Sequence, residues 1–456
     1  MNIFIHHRDL RINDNTTINN MNDISPIFIF TPQQIDNTKN KYFSNALVQF
    51  MCETLIELNE EYKNHTSKMH FYYGDTLEVI KEIHDNYDIN SIGFNVDYSP
   101  FALKRDEEIK KWGIKNNVEI IFYEDMLLVP LLTGKTLKQT SKDPYVKFTP
   151  FKTFLKTNYK VENVKTKKIK FKNINIKTKH SIDIKYFKNF YELQDNLNVK
   201  SGRKEGLKKL NKVQYQQNYN TLRNFLSYET SNLSAFINLG LISIREVYFK
   251  IIEKLGNKNN LIDELYWRDF YYNILYYFPH IVGNSFNRKY DKIEWNHDTK
   301  NFKKWCRGET GFPVVDACMR QLNETGFMHN RGRMIVASFL TKDLLIDWRL
   351  GEQYFSNKLI DYNISANNNG WQWVAGTGTD AQPYFRIFNP WTQSKTYDKD
   401  CIYIKKWIPE LKDVINNDIH TWFKSYEKYE KIMYPAPIID HDEARLETLK
   451  AYKKIN

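Results

Sequence analysis

MNIFIHHRDLRINDN, residues 1–15, decides how the first part of the chain is read. Ile3–Ile5 is a short apolar run of the kind that forms a buried strand. His6, His7 and Arg8 follow it at once. A nicotinamide-binding βαβ unit would carry a glycine-rich GxGxxG turn there, so its absence argues against that cofactor. Apolar runs recur at Ile27–Phe30, His70–Tyr73, Ser91–Phe94 and Glu119–Tyr123. Between them, Ser44–Tyr62 and Leu103–Asn117 carry apolar residues at helical spacing. Strands alternating with helices predict an α/β domain with a parallel, doubly wound sheet over residues 1–130.

Beyond this domain the pattern changes. Residues 131–205 are rich in Lys, Thr and Asn and read as an inter-domain linker crossing the surface. Residues 206–456 read as an all-helical domain, with apolar residues at helical spacing in Ser234–Asn238, Ser243–Leu255, Leu261–Tyr277, Val314–Glu324 and Arg331–Leu345. Gly326 reads as the stop between the last two helices. A chain of 456 residues exceeds one ordinary domain, which agrees with this division.

Composition narrows the class. No apolar run is long enough to span a bilayer, and the N-terminus lacks the apolar core and cleavage site of a signal peptide. We therefore expect an intracellular protein of cytoplasm or nucleus, with no membrane association. Cys52, Cys306, Cys318 and Cys401 are scattered with no CxxC pair, which argues against a disulfide scaffold or a zinc site. The histidines form no HxxxH or HExxH pattern, so no metal site is expected. The formal charge is +12. Val146 to Lys212 alone holds 19 Lys and Arg against 5 Asp and Glu, so the rest of the chain sums to about −2. Such a basic stretch suits an acidic partner such as nucleic acid, and it equally suits a solvated linker.

LIDYNISANNNGWQWVAGTGTD, residues 359–380, is the richest stretch for chemistry. It holds Trp371 and Trp373 just after three asparagines, with Asp361 upstream and Trp348 before it. Planar π surfaces and neutral amides without a nucleophile or an acid/base pair suit a site that holds flat rings and moves electrons. Helical spacing puts Glu264 with Trp267, and Asn330 with Met334, on shared faces. Such groups could receive a base, or they could be core and surface residues. Arg333 and Asp361 could form a buried ion pair or lie at the surface. In ETSNLSAFINLG, residues 229–240, Thr230 or Ser231 can cap the following helix. The free N–H groups there would attract an anion such as a diphosphate, and an ordinary cap reads the same way.

TGFPVVDACMRQLNETGFMHNRGRMIVASFLTKDLLIDWRLGEQYF, residues 310–355, with LIDYNISANNNGWQW and TGTDAQPYFRIFNP, closely resembles the photolyase/cryptochrome family. Within it the chain is most similar to class I cyclobutane pyrimidine dimer (CPD) photolyases of the bacterial type. The resemblance is dense from Leu261 to about Leu411 and looser in the first domain, where RDLRINDN resembles the opening motif. It implies an α/β antenna domain with a Rossmann-like sheet and an all-α FAD-binding domain. It also implies a lyase, acting as a monomer on UV-damaged DNA, that splits flipped-out CPDs with light and FAD, active as FADH−. The family alternatives are a cryptochrome photoreceptor, a 6-4 photolyase and a single-strand (DASH) enzyme.

The resemblance also implies positions. Tyr219, Thr230, Ser231, Asn232, Leu233 and Ser234 match the FAD-contacting segment and its phosphate end. Arg333 and Asp361 match the pair beside the flavin ring, with Tyr362 and Asn363 next to them. Asn367 matches the residue facing flavin N5. Trp371, Trp348 and Trp295 match the electron-transfer chain. Glu264, Trp267, Asn330, Arg331, Met334 and Trp373 match the dimer pocket, and Arg223 and Gln393 match positions near DNA. There are departures. Asn363 stands where an aspartate is usual, Asn232 where a basic residue is, and Leu261 where a tryptophan is. His6 and His7 stand where an aromatic and an arginine are common. Ala102 replaces a glutamate of folate-binding relatives, so a second antenna chromophore, of folate or deazaflavin type, keeps an open identity.

Overall fold

Five parallel strands and the helices between them carry the first part of the molecule, and the computed structural model describes residues 1–161, 163, 167 and 169–455. Glu162, Val164, Lys165, Thr166 and Lys168 of the expected linker, and Asn456, lie outside the described residues. In chain order the elements are β1 (Asn2–Ile5), β2 (Ile24–Phe30), α1 (Asn45–Asn64), β3 (His70–Tyr73), α2 (Thr76–Tyr87), β4 (Ser91–Asn95), α3 (Pro100–Lys115) and β5 (Glu119–Tyr123). Every residue of β2 is buried, as a strand covered on both faces requires. Ser44 caps α1 and Asp75 caps α2 by accepting from backbone N–H groups of the first turn.

The strand order β5-β4-β1-β2-β3 reverses at β1, where the chain returns from β3 to the far side of the sheet. The expected linker is largely built into the fold. Helix α4 (Phe148–Asn158) lies in it, and β6 (Ser181–Ile182) adds an antiparallel edge to β3, pairing Ile182 with Phe71. Phe187 and Phe190 anchor this connection on Phe30, with ring centroids 4.9 and 4.8 Å apart. Apolar residues spaced among the lysines thus cover the sheet edge.

The second half is helical, with α5 (Leu261–Tyr277), α6 (Pro313–Thr325), α7 (Asn330–Ser338), α8 (Trp348–Lys358) and α9 (Ile364–Ala375) forming the site. Gly326 ends α6 in the left-handed conformation, φ +67°. The helix expected over Arg331–Leu345 is shorter. It ends at Ser338 and runs into a wide π-type turn at Phe339–Asp343, where periodicity alone reads straight through. The cap expected at Thr230 or Ser231 is absent. The short Ser234–Asn238 helix starts from Leu233, with no side chain capping it. Among the described residues no helix is long and apolar enough to cross a membrane.

The two halves share one core, in which Leu10, Phe28 and Phe50 of the sheet half pack with Phe236, Ile244 and Tyr266 of the helical half. A buried charge network pins the same interface. The Asp125 carboxylate meets both Arg11 and Arg245, the latter at 2.7 Å. Arg245 also reaches Asp14 at 3.2 Å, and Arg11 donates to the Gly240 carbonyl at 2.9 Å. Burial opposes charge on Asp125, but Arg11 and Arg245 hold its carboxyl well below the usual range. Asp125→Ala leaves two buried guanidiniums without their shared anion and should destabilise the protein by about 3–5 kcal/mol. Denaturant unfolding checks this, and an unchanged midpoint contradicts it.

Candidate functional site

Three helices converge on a cavity of about 340 Å³. Helix α5 lends Glu264, Trp267 and Tyr271, at spacings of three and four. Asn330, Arg333, Met334 and Ala337 of α7 follow the same rule, and α9 adds Asn367, Trp371 and Trp373. Phe355 of α8 and Arg223 complete the rim and wall. Of the residues singled out in the sequence, nine therefore face one space: Arg223, Glu264, Trp267, Asn330, Arg333, Met334, Asn367, Trp371 and Trp373. Tyr271 and Phe355 went unnoticed in the sequence, although Tyr271 lies one helical turn from Trp267.

Charge is distributed unevenly around this space. Glu264 pairs with Arg223 at the mouth, with both side chains about one third exposed. Burial pushes the Glu264 carboxyl above its ordinary value, and the Arg223 guanidinium opposes that. Arg333 donates to both oxygens of Asp361, at 2.9 and 3.1 Å, and to the Met328 carbonyl at 2.9 Å. The ion pair is thus formed, its carboxylate buried and its guanidinium partly exposed. Asn367 donates to the Glu352 backbone carbonyl at 2.9 Å. The Glu352 carboxyl sits behind it, with buried Oε1 unpartnered within the protein, and burial pushes it up to about 7 against Lys41, Asn367 and Tyr42.

The tryptophans occupy distinct places. Trp371 is buried against Gly351 of α8, where any Cβ would collide with the indole. It meets Phe355 edge-on at 5.0 Å and Trp305 at 6.1 Å. Trp348, three residues before Gly351 on the same helix, is fully buried, and neither its indole N–H nor that of Trp295 has a protein partner. Trp295 contacts Tyr452 edge-on at 6.3 Å. Trp267 lies flat against Phe148, with centroids 3.6 Å apart and planes 9° apart.

Other sequence-derived residues lie outside this lining. Tyr219 is buried beside Arg223, whose guanidinium sits 5.9 Å from its ring. Thr230, Ser231, Asn232 and Leu233 precede the short helix that Ser234 opens, with Asn232 at φ +51°. Arg331 donates to Asn224 at 2.7 Å and lies 4.3 Å over the Tyr397 ring. Gln393 lies on the Pro390–Tyr397 helix, with a buried side-chain amide oxygen that accepts no hydrogen bond within the protein. Both ends of the Asn363 amide are engaged: Oδ1 caps α9 through Ala366, and Nδ2 donates to Asn238 at 3.0 Å and Tyr272 at 2.5 Å. Tyr362 stacks on Tyr42 at 6.0 Å.

A second cavity, about 240 Å³, opens at the carboxyl ends of β1, β2 and β4. That is where the strand order reverses, the usual ligand position in such sheets. His7, Arg8, Gln34, Asp97, Ala102 and Arg105 are among its walls, and Tyr42 and Tyr362 close it from the side of the first cavity. Arg8 pairs with Asp97 at 3.3 Å, and Arg105 donates to His7 Nδ1 at 3.0 Å.

The first cavity suits a flat ring system with polar edges. Indoles and Phe355 offer apolar faces, while a neutral amide and a guanidinium offer edge contacts. A family model described as the FAD binding domain of DNA photolyase matches residues 261–454, and one described as DNA photolyase matches residues 2–168. The chain is 34% identical over 489 residues to a deoxyribodipyrimidine photo-lyase of Buchnera aphidicola, covering 99% of this chain and 97% of that one. It superposes on an archaeal photolyase from Sulfolobus tokodaii with two FAD molecules, at TM-score 0.88, 36% identity and full coverage of both chains. A Synechocystis cryptochrome gives TM-score 0.88 at 26% identity, covering 98% of each chain.

The second cavity makes a pH prediction. Burial, reinforced by Arg105, pulls His7 down to about 3, so it stays neutral in the folded protein. Below its ordinary value near 6.5 the unfolded chain takes up a proton that the folded one refuses. Stability should therefore fall as pH drops from about 6.5 toward 3. His7→Gln keeps an acceptor for Arg105 and should flatten that slope in melting curves taken across this range. An unaltered slope contradicts the assignment.

Proposed function

This chain belongs to the photolyase/cryptochrome family, and on that premise we propose that its first cavity receives a cyclobutane pyrimidine dimer flipped out of DNA. The protein is a DNA-repair lyase with FAD as its cofactor. The observation that carries the finer reading is the convergence of Trp267, Trp373, Met334 and Glu264 on the space that also holds Asn367 and Trp371. A lesion pocket and a flavin site need that shared wall.

A dimer inside a duplex is out of reach, so it must be extruded, at a cost of a few kcal/mol that is lower where pairing is already damaged. Trp267 and Trp373 offer flat apolar surface to the extruded pair. Glu264, whose carboxyl burial pushes up, offers a hydrogen bond to a pyrimidine edge. Arg223 holds that carboxylate at the mouth and faces the phosphates. Arg333, Asp361 and Asn367 would grip the edge of the flavin ring, and Tyr219 with Thr230–Ser234 its phosphate end. When bound, reduced FAD supplies under light the single electron that opens the cyclobutane ring and receives it back. Trp371, Trp348 and Trp295 would carry electrons inward from the surface. No protein acid/base pair is required, which fits the composition of the walls.

Asn330 and Met334 occupy the wall where a 6-4 enzyme would present histidines, which supports the CPD reading over that one. We further propose a second chromophore in the cavity at the sheet's switch point. The cation–histidine wall there and the buried Ala102 in place of a glutamate favour a flavin-type ring over folate. The division at residues 130 and 205, a monomeric state and a cytoplasmic or nuclear location complete the proposal.

Trp267→Ala should weaken binding to dimer-containing DNA about tenfold or more while leaving undamaged DNA within about twofold, since a stacked base is worth about 1–3 kcal/mol. Titration of both DNAs at one salt concentration checks this. Equal losses on both sink the pocket assignment.

A further inference from the structure

The stretch Tyr145–Lys156, a connection by sequence, is strapped along the back of the cavity. Asn273 of α5 donates to the Tyr145 carbonyl at 3.1 Å, and Thr379 donates to the Val146 carbonyl at 2.6 Å. The Phe148 N–H donates to the Asp380 carboxylate at 3.0 Å. Lys152 and Lys156 both reach Asp263, each at 2.8 Å. Asp380 holds a left-handed φ of +46°, a conformation that persists in a non-glycine residue only where its surroundings impose it.

Between these anchors Phe148 is buried and lies flat on Trp267. Phe270 meets the same indole edge-on at 5.8 Å. One face of Trp267 is thus covered, and only its other face and free edge remain for the cavity it lines. The strap also ties the two tryptophan walls together, because Thr379 and Asp380 follow α9, which carries Trp373. Its two lysines neutralise Asp263, which would otherwise crowd a second negative charge beside Glu264.

We propose that Phe148 is a positioning residue of the lesion pocket: it fixes the plane of Trp267, and the Asp380–Phe148 strap sets the gap between the Trp267 and Trp373 walls. A gap of fixed width selects a rigid, fused pair of pyrimidines over single flexible bases. The inference rests on the lesion-pocket reading above.

Phe148→Ala, Phe148→Tyr and Asp380→Ala are compared with the unaltered protein and with Trp267→Ala. The readout is the ratio of affinities for dimer-containing and undamaged oligonucleotides, with melting temperature recorded alongside. Phe148→Ala and Asp380→Ala should lower that ratio about three- to tenfold, the range of one aromatic pair, and Phe148→Tyr should restore it. Asp380→Ala carries the test if Phe148→Ala does not fold. If Trp267→Ala lowers the ratio and folded Phe148 or Asp380 variants do not, the positioning role is overturned while the pocket stands. A lowered melting temperature with the ratio unchanged overturns it as well. If Trp267→Ala leaves the ratio intact, the underlying pocket reading falls first.

Discussion

Four charges buried between the sheet and the helices, Arg11, Asp14, Asp125 and Arg245, hold this molecule in one arrangement. Such a network tolerates no partial solution. Arg245 reaches its two carboxylates, Asp14 and Asp125, only when the halves are docked, and Arg11 gains the Gly240 carbonyl across the same boundary; an unpaired buried charge is strongly penalised. Apolar packing across the same boundary supplies the attraction, and the charges supply the register. Both cavities depend on that register. The one at the sheet's switch point is closed by Tyr362 of the helical half, and Tyr42 of the sheet half stacks on that same ring and reaches the Glu352 carboxyl behind Asn367.

The principal site is built from helix faces rather than loops. Residues three, four and seven apart on α5 and α7 project into one space, so rigid backbones set the separations between indoles, amide and guanidinium. Rigidity matters for a reaction in which the protein orients and poises while the cofactor carries the chemistry. Gly351 shows how closely this is packed, for its bare backbone is what Trp371 rests on.

Much of this was legible in the sequence. Continuous apolar runs marked the inner strands because a parallel sheet covers them on both faces, and β3 has the expected bounds, as does the more exposed edge strand β5. Helix α5 also has its expected bounds. Local signals misled where tertiary contacts decide. The π-type turn at Phe339–Asp343 interrupts a pattern that keeps its apolar period, and its Asp343 meets His441 of the last helix. The Lys-rich stretch looked like a solvated linker because its aromatic anchors are sparse, yet Phe187 and Phe190 seal the sheet edge. Phe148 was invisible as a pocket residue, since nothing local reveals which ring a distant phenylalanine will stack on. For the site, helical spacing brought together Glu264 with Trp267 and Asn330 with Met334. The Arg333–Asp361 pair stayed open between a buried pair and a surface position on the residues alone, and family resemblance placed it, with Asn367 and Trp371, beside the flavin.

The central claim is that this cavity brings a pyrimidine dimer and a flavin together for light-driven electron transfer. Its most direct test is illumination of the FAD-loaded, reduced protein with one oligonucleotide carrying a single cyclobutane thymine dimer and a second carrying a 6-4 photoproduct, each with a dark control. The expected result is restoration of intact thymines from the cyclobutane dimer in the light alone, with the 6-4 lesion unchanged. No light-dependent repair of the cyclobutane dimer, or repair of the 6-4 lesion in its place, contradicts the account.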